Sequence, residues 1–395
     1  MKIDLESSKS EQQPSRATKL RLTLGAWVVL AFILLPRQDS TALPNDFAFH
    51  WIAAKLVLAG SNPYSPQETL DLQRRLSFAG KGPLVALSPP WVLPLVVPFG
   101  WLSFATATSL WFALGLGTVL VSIRWLWDLY AGSTALWIGW LVTALFLPVA
   151  VVLAIGQIGP LVLLGLTGFL RYEGAGSEYV AGAFLFLVAL KPHLVFLVWI
   201  AVLFCAFSLR LWRTLVAFFA ALVCASFLAV AVDRRVFQQY VQLLTAGHSV
   251  LRETPTLSGL LRHFLSYPGV QFIPMVLALV WFARLWTRWR GDWIWRDRLP
   301  ELLLLSIVAT SYSWFFDQVV LLPCVLSTTA VMIGASPRIR FAAFAVYVAI
   351  NGLVLLFLLQ HRTTFWYSWT ACAWLLLYVV LGHLASSARR VPTVA

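Results

Sequence analysis

Twelve apolar runs, strung along the chain and mostly near the length of a bilayer crossing, leave this sequence few ways to fold. A helix needs about 17–25 mainly apolar residues to cross a hydrocarbon core roughly 30 Å thick. The runs are 20–36, 105–124, 134–155, 158–170, 178–192, 194–209, 214–232, 271–286, 300–316, 318–335, 341–359 and 365–385. The run 158–170 is short for a crossing and reads as tilted or partly re-entrant. Only 11% of the residues are charged and 60% are hydrophobic, whereas a soluble domain carries about 25% charged residues. Water cannot solvate such a surface, so soluble domains, a disordered chain and a disulfide scaffold are all excluded. The expected fold is an all-α polytopic membrane protein with about twelve transmembrane helices.

The net charge of +13 raises the question of an acidic partner. The basic residues are scattered singly between apolar runs, without the clustered patch that nucleic-acid binding needs. They follow membrane topology instead. Lys2, Lys9, Arg16, Lys19 and Arg21 place the N-terminus in the cytoplasm. The twelve-span count then puts Arg124, Arg171, Arg210, Arg213, Arg338, Arg340, Arg389 and Arg390 on that side, together with the arginines of 284–298. The short outer loops keep only Lys191 and Arg362. This parity requires the apolar stretch 84–103 not to cross, which suits its prolines at 83, 89, 90, 94 and 98. The organisation expected is a cytoplasmic tail 1–19, a membrane domain 20–385 and a cytoplasmic tail 386–395. Its long outer loops are 37–104 and 233–270. Residues 20–36 follow a basic tail, but no A-x-A-like cleavage site follows closely, so they read as a retained span.

Cys205, Cys224, Cys324 and Cys372 all sit in apolar segments with no CxxC or Cys/His spacing, so no zinc site or disulfide framework is implied. They read as small buried hydrophobes. The 20 tryptophans fit belts at the two membrane interfaces.

Ionisable residues within apolar sequence are expensive and mark function by default. Here they gather at the outer ends of different spans. The first outer loop begins Pro44-Asn45-Asp46 and continues as an apolar helix over 47–58, with Asp46 and His50 four residues apart on one face. A simpler reading makes Asn45 or Asp46 a helix cap. Further on come Tyr64 within a turn-rich stretch, Gly156-Gln157 before Pro160, and Lys191-Pro192-His193. The second outer loop holds His248 and Arg262-His263. Ser311-Tyr312-Ser313-Trp314-Phe315-Phe316-Asp317 ends one span with an acid. Lys191 can simply snorkel, Asp317 can pair with Lys191 or Arg262 for structure, and Gln157 can satisfy backbone at a helix break. His263 and His383 read as interfacial. Taken together, a carboxylate among several cations suits chemistry on a substrate bearing phosphate. No G-x-x-x-x-G-K loop is present, so a lipid phosphate is a more economical leaving group than a cytosolic nucleotide.

The order of these pieces resembles glycosyltransferase family 87, one of the GT-C membrane glycosyltransferases. The resemblance runs over about residues 40–330. It is carried by Asp46-Phe47, Ala54…Gly60-x-Asn62-Pro63-Tyr64, Ser88-Pro89-Pro90…Leu93-Pro94…Pro98-Phe99, Gly156-Gln157, Lys191-Pro192-His193 and Ser311-Tyr312-x-Trp314…Asp317. It implies a GT-C-type fold with juxtamembrane helices in the first outer loop. It also implies inverting transfer of a sugar, usually mannose, from a polyprenyl-phosphate donor to a glycolipid, glycan or protein acceptor at the outer face. By that resemblance Asp46 is the catalytic base, with His50 or His248 orienting it or the acceptor. Lys191, His193 and Arg262 match positions that hold the donor phosphate, while Gln157, Tyr64, His248 and Asp317 are further substrate-binding candidates. The family's Tyr/Pro-Pro element reads Ser88-Pro89-Pro90 here, which puts a tyrosine's role there in doubt. No metal and no cofactor beyond the lipid-linked donor is expected. The location implied is a bacterial plasma membrane. Two other readings use the same residues: a lipid-linked sugar flippase, which predicts inverted repeats and mid-span polar groups, and a noncatalytic envelope-assembly subunit.

Overall fold

The computed structural model describes residues 46–75, 82–83, 85–132, 134–246, 254–265 and 267–389. The expected first span 20–36, the N-terminal tail, the end of the C-terminal tail and His248 lie outside the described residues. The described residues are helical throughout, with no strand. In chain order the α-helices are α1 (Phe47–Leu58), α2 (Pro66–Arg75), α3 (Leu93–Gly100), α4 (Phe104–Ala131), α5 (Leu136–Ala144), α6 (Leu147–Ile155), α7 (Gly159–Gly174), α8 (Glu178–Val188), α9 (Phe196–Leu209), α10 (Trp212–Val232), α11 (Val236–Thr245), α12 (Leu257–Phe264), α13 (Ile273–Trp289), α14 (Trp295–Ala309), α15 (Leu322–Ile333), α16 (Pro337–Leu359) and α17 (Thr370–Arg389). Short 3₁₀ turns lead into α3, α9, α13 and α15.

Seven helical segments are long and apolar enough to cross a membrane: Phe104–Ala131, Pro192–Leu209, Trp212–Val232, Gly269–Asp292, Phe315–Ile333, Pro337–Leu359 and Phe365–Leu384. Helices α5 and α6 form an eighth if they count as one span bent by 62°. The chain is therefore a polytopic helical membrane protein, with seven or eight candidate spans by length and composition among the described residues. Two expected spans end early, and a third stays below the length of a full crossing. Helix α8 has 11 residues and α14 has 15, ended by the approach to Lys191-Pro192 and by Thr310, while α7 runs past its expected end to Gly174 with 16 residues. The stretch 84–103 yields only a 3₁₀ turn and the eight-residue α3, about 18 Å of helix by the rise per residue. It packs against α1. Gly100 makes that approach possible, since a methyl there would lie 2.8 Å from Leu58 Cδ1 and 3.0 Å from Ala54 Cβ.

The break between α5 and α6 shows how irregular backbone survives inside the bundle. Pro148 cannot continue the first helix, and the freed groups need partners because lipid supplies none. Helix α16 provides them. Asn351 Oδ1 accepts from the Leu147 amide at 2.9 Å, and the Tyr347 hydroxyl donates to the Val142 carbonyl at 2.7 Å. Asn351 in turn donates to the Tyr347 carbonyl. Leaving one such buried group unpaired costs about 1–3 kcal/mol.

Small residues seat the helices that carry the site. Helices α7, α8 and α10 stack closely, and a methyl at Gly182 would collide with the Thr214 carbonyl of α10. Membrane helices rely on such close backbone contact because lipid tails offer no hydrophobic contrast. The packing fixes where α7 begins and α8 ends.

Candidate active site

Four interruptions in the helical bundle converge at one end of it. The first is the start of α1, where Asp46 precedes the apolar Phe47. Phe47 is fully buried and stacks on Trp111 of α4 with ring centroids 4.9 Å apart. Asp46 is thereby held against the bundle rather than in open water.

The second interruption is Gly156-Gln157. Gly156 adopts the left-handed conformation at φ +70°, and the Gln157 amide returns to the Val152 carbonyl at 3.1 Å. This glycine-terminated cap closes α6, and Pro160 then opens α7. The Trp111 indole donates to the Gly156 carbonyl at 2.8 Å, so one tryptophan positions both Phe47 and the glycine turn. With the turn fixed, the Gln157 side chain projects to Asp46, and Nε2 donates to Asp46 Oδ2 at 2.6 Å.

Lys191 supplies the third. A residue before proline is pushed out of the helical region, and Lys191 has φ −138° and ψ 69°. The Trp91 indole, at the entry to α3, donates to the nearby Ala189 carbonyl at 3.0 Å. The fourth is the extended segment from Thr310 to Trp314. Its conformation is pinned by the Thr310 hydroxyl, which donates to the His193 carbonyl, and by Asp317 Oδ2, which accepts from the Trp314 amide at 2.9 Å.

Lys191 Nζ stands 2.7 Å from Asp317 Oδ1, with Asp317 1% exposed and Lys191 14% exposed. The carboxylate is sealed, while the ammonium keeps an opening. Each carboxylate oxygen has one partner, and an ammonium has three donors, so Lys191 can bind a second anion without leaving Asp317. The ammonium also stands 5.5 Å from the centre of the Phe316 ring.

The two pairs share one electrostatic environment. Burial raises the Asp46 carboxyl to about 6, the Gln157 bond and the Lys191 charge oppose the rise, and the Asp317 charge adds to it. His50, buried one turn along α1, is pushed down to about 4 by burial and then by the Lys191 charge, so it is neutral at pH 7. Tyr312 is raised, chiefly by burial, with its Trp314 bond opposing and the charges of Asp317 and Asp46 adding.

Of the residues anticipated from sequence, the structure brings together Asp46, His50, Gln157, Lys191, His193 and Asp317. His193 is exposed, with its ring 5.5 Å from that of Tyr312. Arg262 stands at the edge. Its Nη2 donates to Thr254 Oγ1 at 3.4 Å, and that hydroxyl reaches the Ser311 carbonyl, while Arg262 Nε has no partner. The Tyr64 hydroxyl donates to the Ser88 carbonyl at 3.0 Å and its ring packs on Tyr240. It ties the first loop to Ser88-Pro89-Pro90. His50 or His248 was the expected orienting group for Asp46 or the acceptor, and among the described residues the bond to Asp46 comes from Gln157. Tyr312 and Trp111 were not singled out as site residues. The Tyr-x-Trp pattern before Asp317 could have pointed to Tyr312, whereas nothing local distinguishes Trp111 from the other tryptophans. Among the described residues, no three His, Cys, Asp or Glu side chains group so as to hold a metal ion.

A helical membrane bundle with a carboxyl raised toward neutral pH, and a mostly buried ammonium within electrostatic reach of it, has the parts of an enzyme that moves a proton next to an anionic group. Residues 87–316, more than half of the chain, match glycosyltransferase family 87, and the chain belongs to that family. It is therefore a membrane glycosyltransferase. Gln157, Lys191, His193, Arg262 and Tyr312 fall inside the matched region, Asp317 directly follows it, and Asp46, His50 and Tyr64 precede it. No curated protein and no solved structure matches the chain.

Proposed function

We propose that the protein transfers a sugar, with mannose the choice suggested by family likeness, from a polyprenyl phosphate to an acceptor hydroxyl with inversion at the anomeric carbon. The observation that carries this reading is the arrangement of two pairs, Asp46 with Gln157 and Lys191 with Asp317, at converging helix breaks. One pair holds a carboxyl poised near 6 and the other an ammonium with donors to spare.

In this mechanism the Asp46 carboxylate takes the proton of the acceptor hydroxyl. The acceptor oxygen forms its bond to the anomeric carbon as the bond from that carbon to the phosphate oxygen breaks. The electron pair leaves with the polyprenyl phosphate. Lys191 takes up the growing negative charge, with His193 and Arg262 as further donors at the rim. Donors fixed before reaction stabilise such charge without reorganising during it. Gln157 holds Asp46 in position and lowers its affinity for a proton. These residues can neutralise a monophosphate themselves, so activity is expected to persist in EDTA. The reaction is placed at the outer face of a bacterial plasma membrane, with both termini cytoplasmic, following the charge distribution along the sequence.

The test is incubation of the purified protein with radiolabelled polyprenyl-phosphate sugars, with and without glycolipid acceptors. Release or transfer of label from one of them is the expected result. No turnover of any such donor by a folded preparation contradicts the reading.

A further inference from the structure

From one turn past Asp317 toward Arg340, an apolar cavity of about 280 Å³ opens among five elements. One wall is the segment that begins at Asp317 and continues as α15. Leu321, Val325, Thr328 and Met332 lie along it at spacings of four, three and four residues, which is one face of a helix. Helices α5, α14, α16 and α17 supply the other walls. The stripe runs about 16 Å at the helical rise per residue, close to the roughly 15 Å of hydrocarbon in a single leaflet.

The far end of the cavity carries a charge. Arg340, in the first turn of α16, lines the cavity mouth and is exposed. Its guanidinium makes no hydrogen bond or ion pair with the described residues. An apolar slot one leaflet deep, ending at a cation without a partner among the described residues, matches a particular amphiphile: one apolar chain attached to an anionic headgroup. We propose that this cavity binds an acyl chain of an anionic glycerophospholipid from the leaflet opposite the active site, with its phosphate on Arg340. A polyprenyl chain fits less well, because it outruns a single leaflet and its phosphate belongs at the other end of the segment, near Lys191. The bound lipid would wedge α15 against α16 and α17, and α15 is the continuation of the turn that carries Asp317.

Native mass spectrometry of the full-length protein, stripped of lipid by detergent exchange, tests this. The probes are phosphatidylglycerol, phosphatidylcholine of the same chains, and a polyprenyl phosphate. One headgroup contact to arginine near a membrane surface is worth about a five-fold preference, so the wild type should retain phosphatidylglycerol over phosphatidylcholine by about that factor. Arg340→Gln should bring the two lipids level, and Thr328→Phe, which fills the slot, should abolish retention of both. Arg340 is exposed, so its variant keeps the fold and decides the matter even if Thr328→Phe does not. Equal retention of both lipids by the wild type, or a preference that survives Arg340→Gln, overturns the proposal. Displacement of phosphatidylglycerol by the polyprenyl phosphate, insensitive to Arg340→Gln, overturns it in favour of the donor's tail. The readout is lipid retention, so it stands apart from whether the protein turns over any donor.

Discussion

The ammonium of Lys191 lies 2.7 Å from Asp317 Oδ1, joining two helix breaks that are 126 residues apart in the chain. A lysine ending one apolar helix and an acid beginning another can each be read alone as a snorkelling cation or a helix cap. Paired and nearly sealed from solvent, they form a charged contact between the segment that follows α8 and the turn that leads into α15. Lys191 still has donors to offer a phosphate, and Asp317 keeps the ammonium from turning into the headgroup layer.

That pairing separates a structural from a chemical role by mutation. Asp317→Ala strands a mostly buried ammonium, and breaking a fully buried pair from one side costs about 3–5 kcal/mol, an upper bound here because Lys191 keeps an opening to solvent. The apparent melting temperature in detergent should fall markedly. In Lys191→Met/Asp317→Leu both charges go together, and most of that stability should return. Transfer should not return with it. A double variant that regains both melting temperature and turnover would make the pair purely structural.

The Asp46 carboxyl gives a pH signature. Its pKa is raised to about 6 by burial against the Gln157 bond and the Lys191 charge, and a base works only when deprotonated. Donor turnover per unit substrate concentration should therefore rise with pH through about 6 and level off above it. Gln157→Leu removes an interaction that favours the charged form, so the rising limb should move to higher pH. Tracing kcat/KM against pH for both proteins checks this. A limb that stays in place in Gln157→Leu, or moves to lower pH, contradicts the assignment.

Much of this site was legible in the sequence because the bilayer makes polar residues conspicuous. Asp46, Lys191 and Asp317 stand out against apolar neighbours, and the 3.6-residue period places His50 on the Asp46 face. Pairing was less legible. The contact of Gln157 with Asp46 depends on Gly156 adopting a left-handed turn and on Trp111 holding its carbonyl, and neither is encoded in local spacing. Asn351 and Tyr347 illustrate the reverse case. They are polar groups inside a long apolar helix that serve the backbone break between α5 and α6, so a polar residue in a span is not always a functional one. The helix breaks were less legible, since hydropathy averages over the prolines, glycines and threonines that interrupt apolar runs and build the site.

The orientation of the bundle is testable without any substrate. Residues 334–336 and 360–362 bracket α16 at opposite ends. The positive-inside rule assigns the end with Arg338 and Arg340 to the cytoplasm. In a background free of native cysteines, Arg362→Cys in intact cells should react with a membrane-impermeant maleimide. Ser336→Cys should react only after permeabilisation. The opposite pattern inverts the topology and moves the active site to the cytoplasmic face.

The central claim is that Asp46 is the base, and the most direct measurement compares transfer by the wild type with transfer by Asp46→Asn at saturating polyprenyl-phosphate sugar, alongside binding of the same donor. Asparagine preserves the size of the side chain and can still meet Gln157, but it cannot take a proton. A positioned base commonly contributes about 10²–10⁴-fold. The account predicts a fall in kcat of that order with donor binding and melting temperature little changed. Wild-type kcat in Asp46→Asn would contradict it.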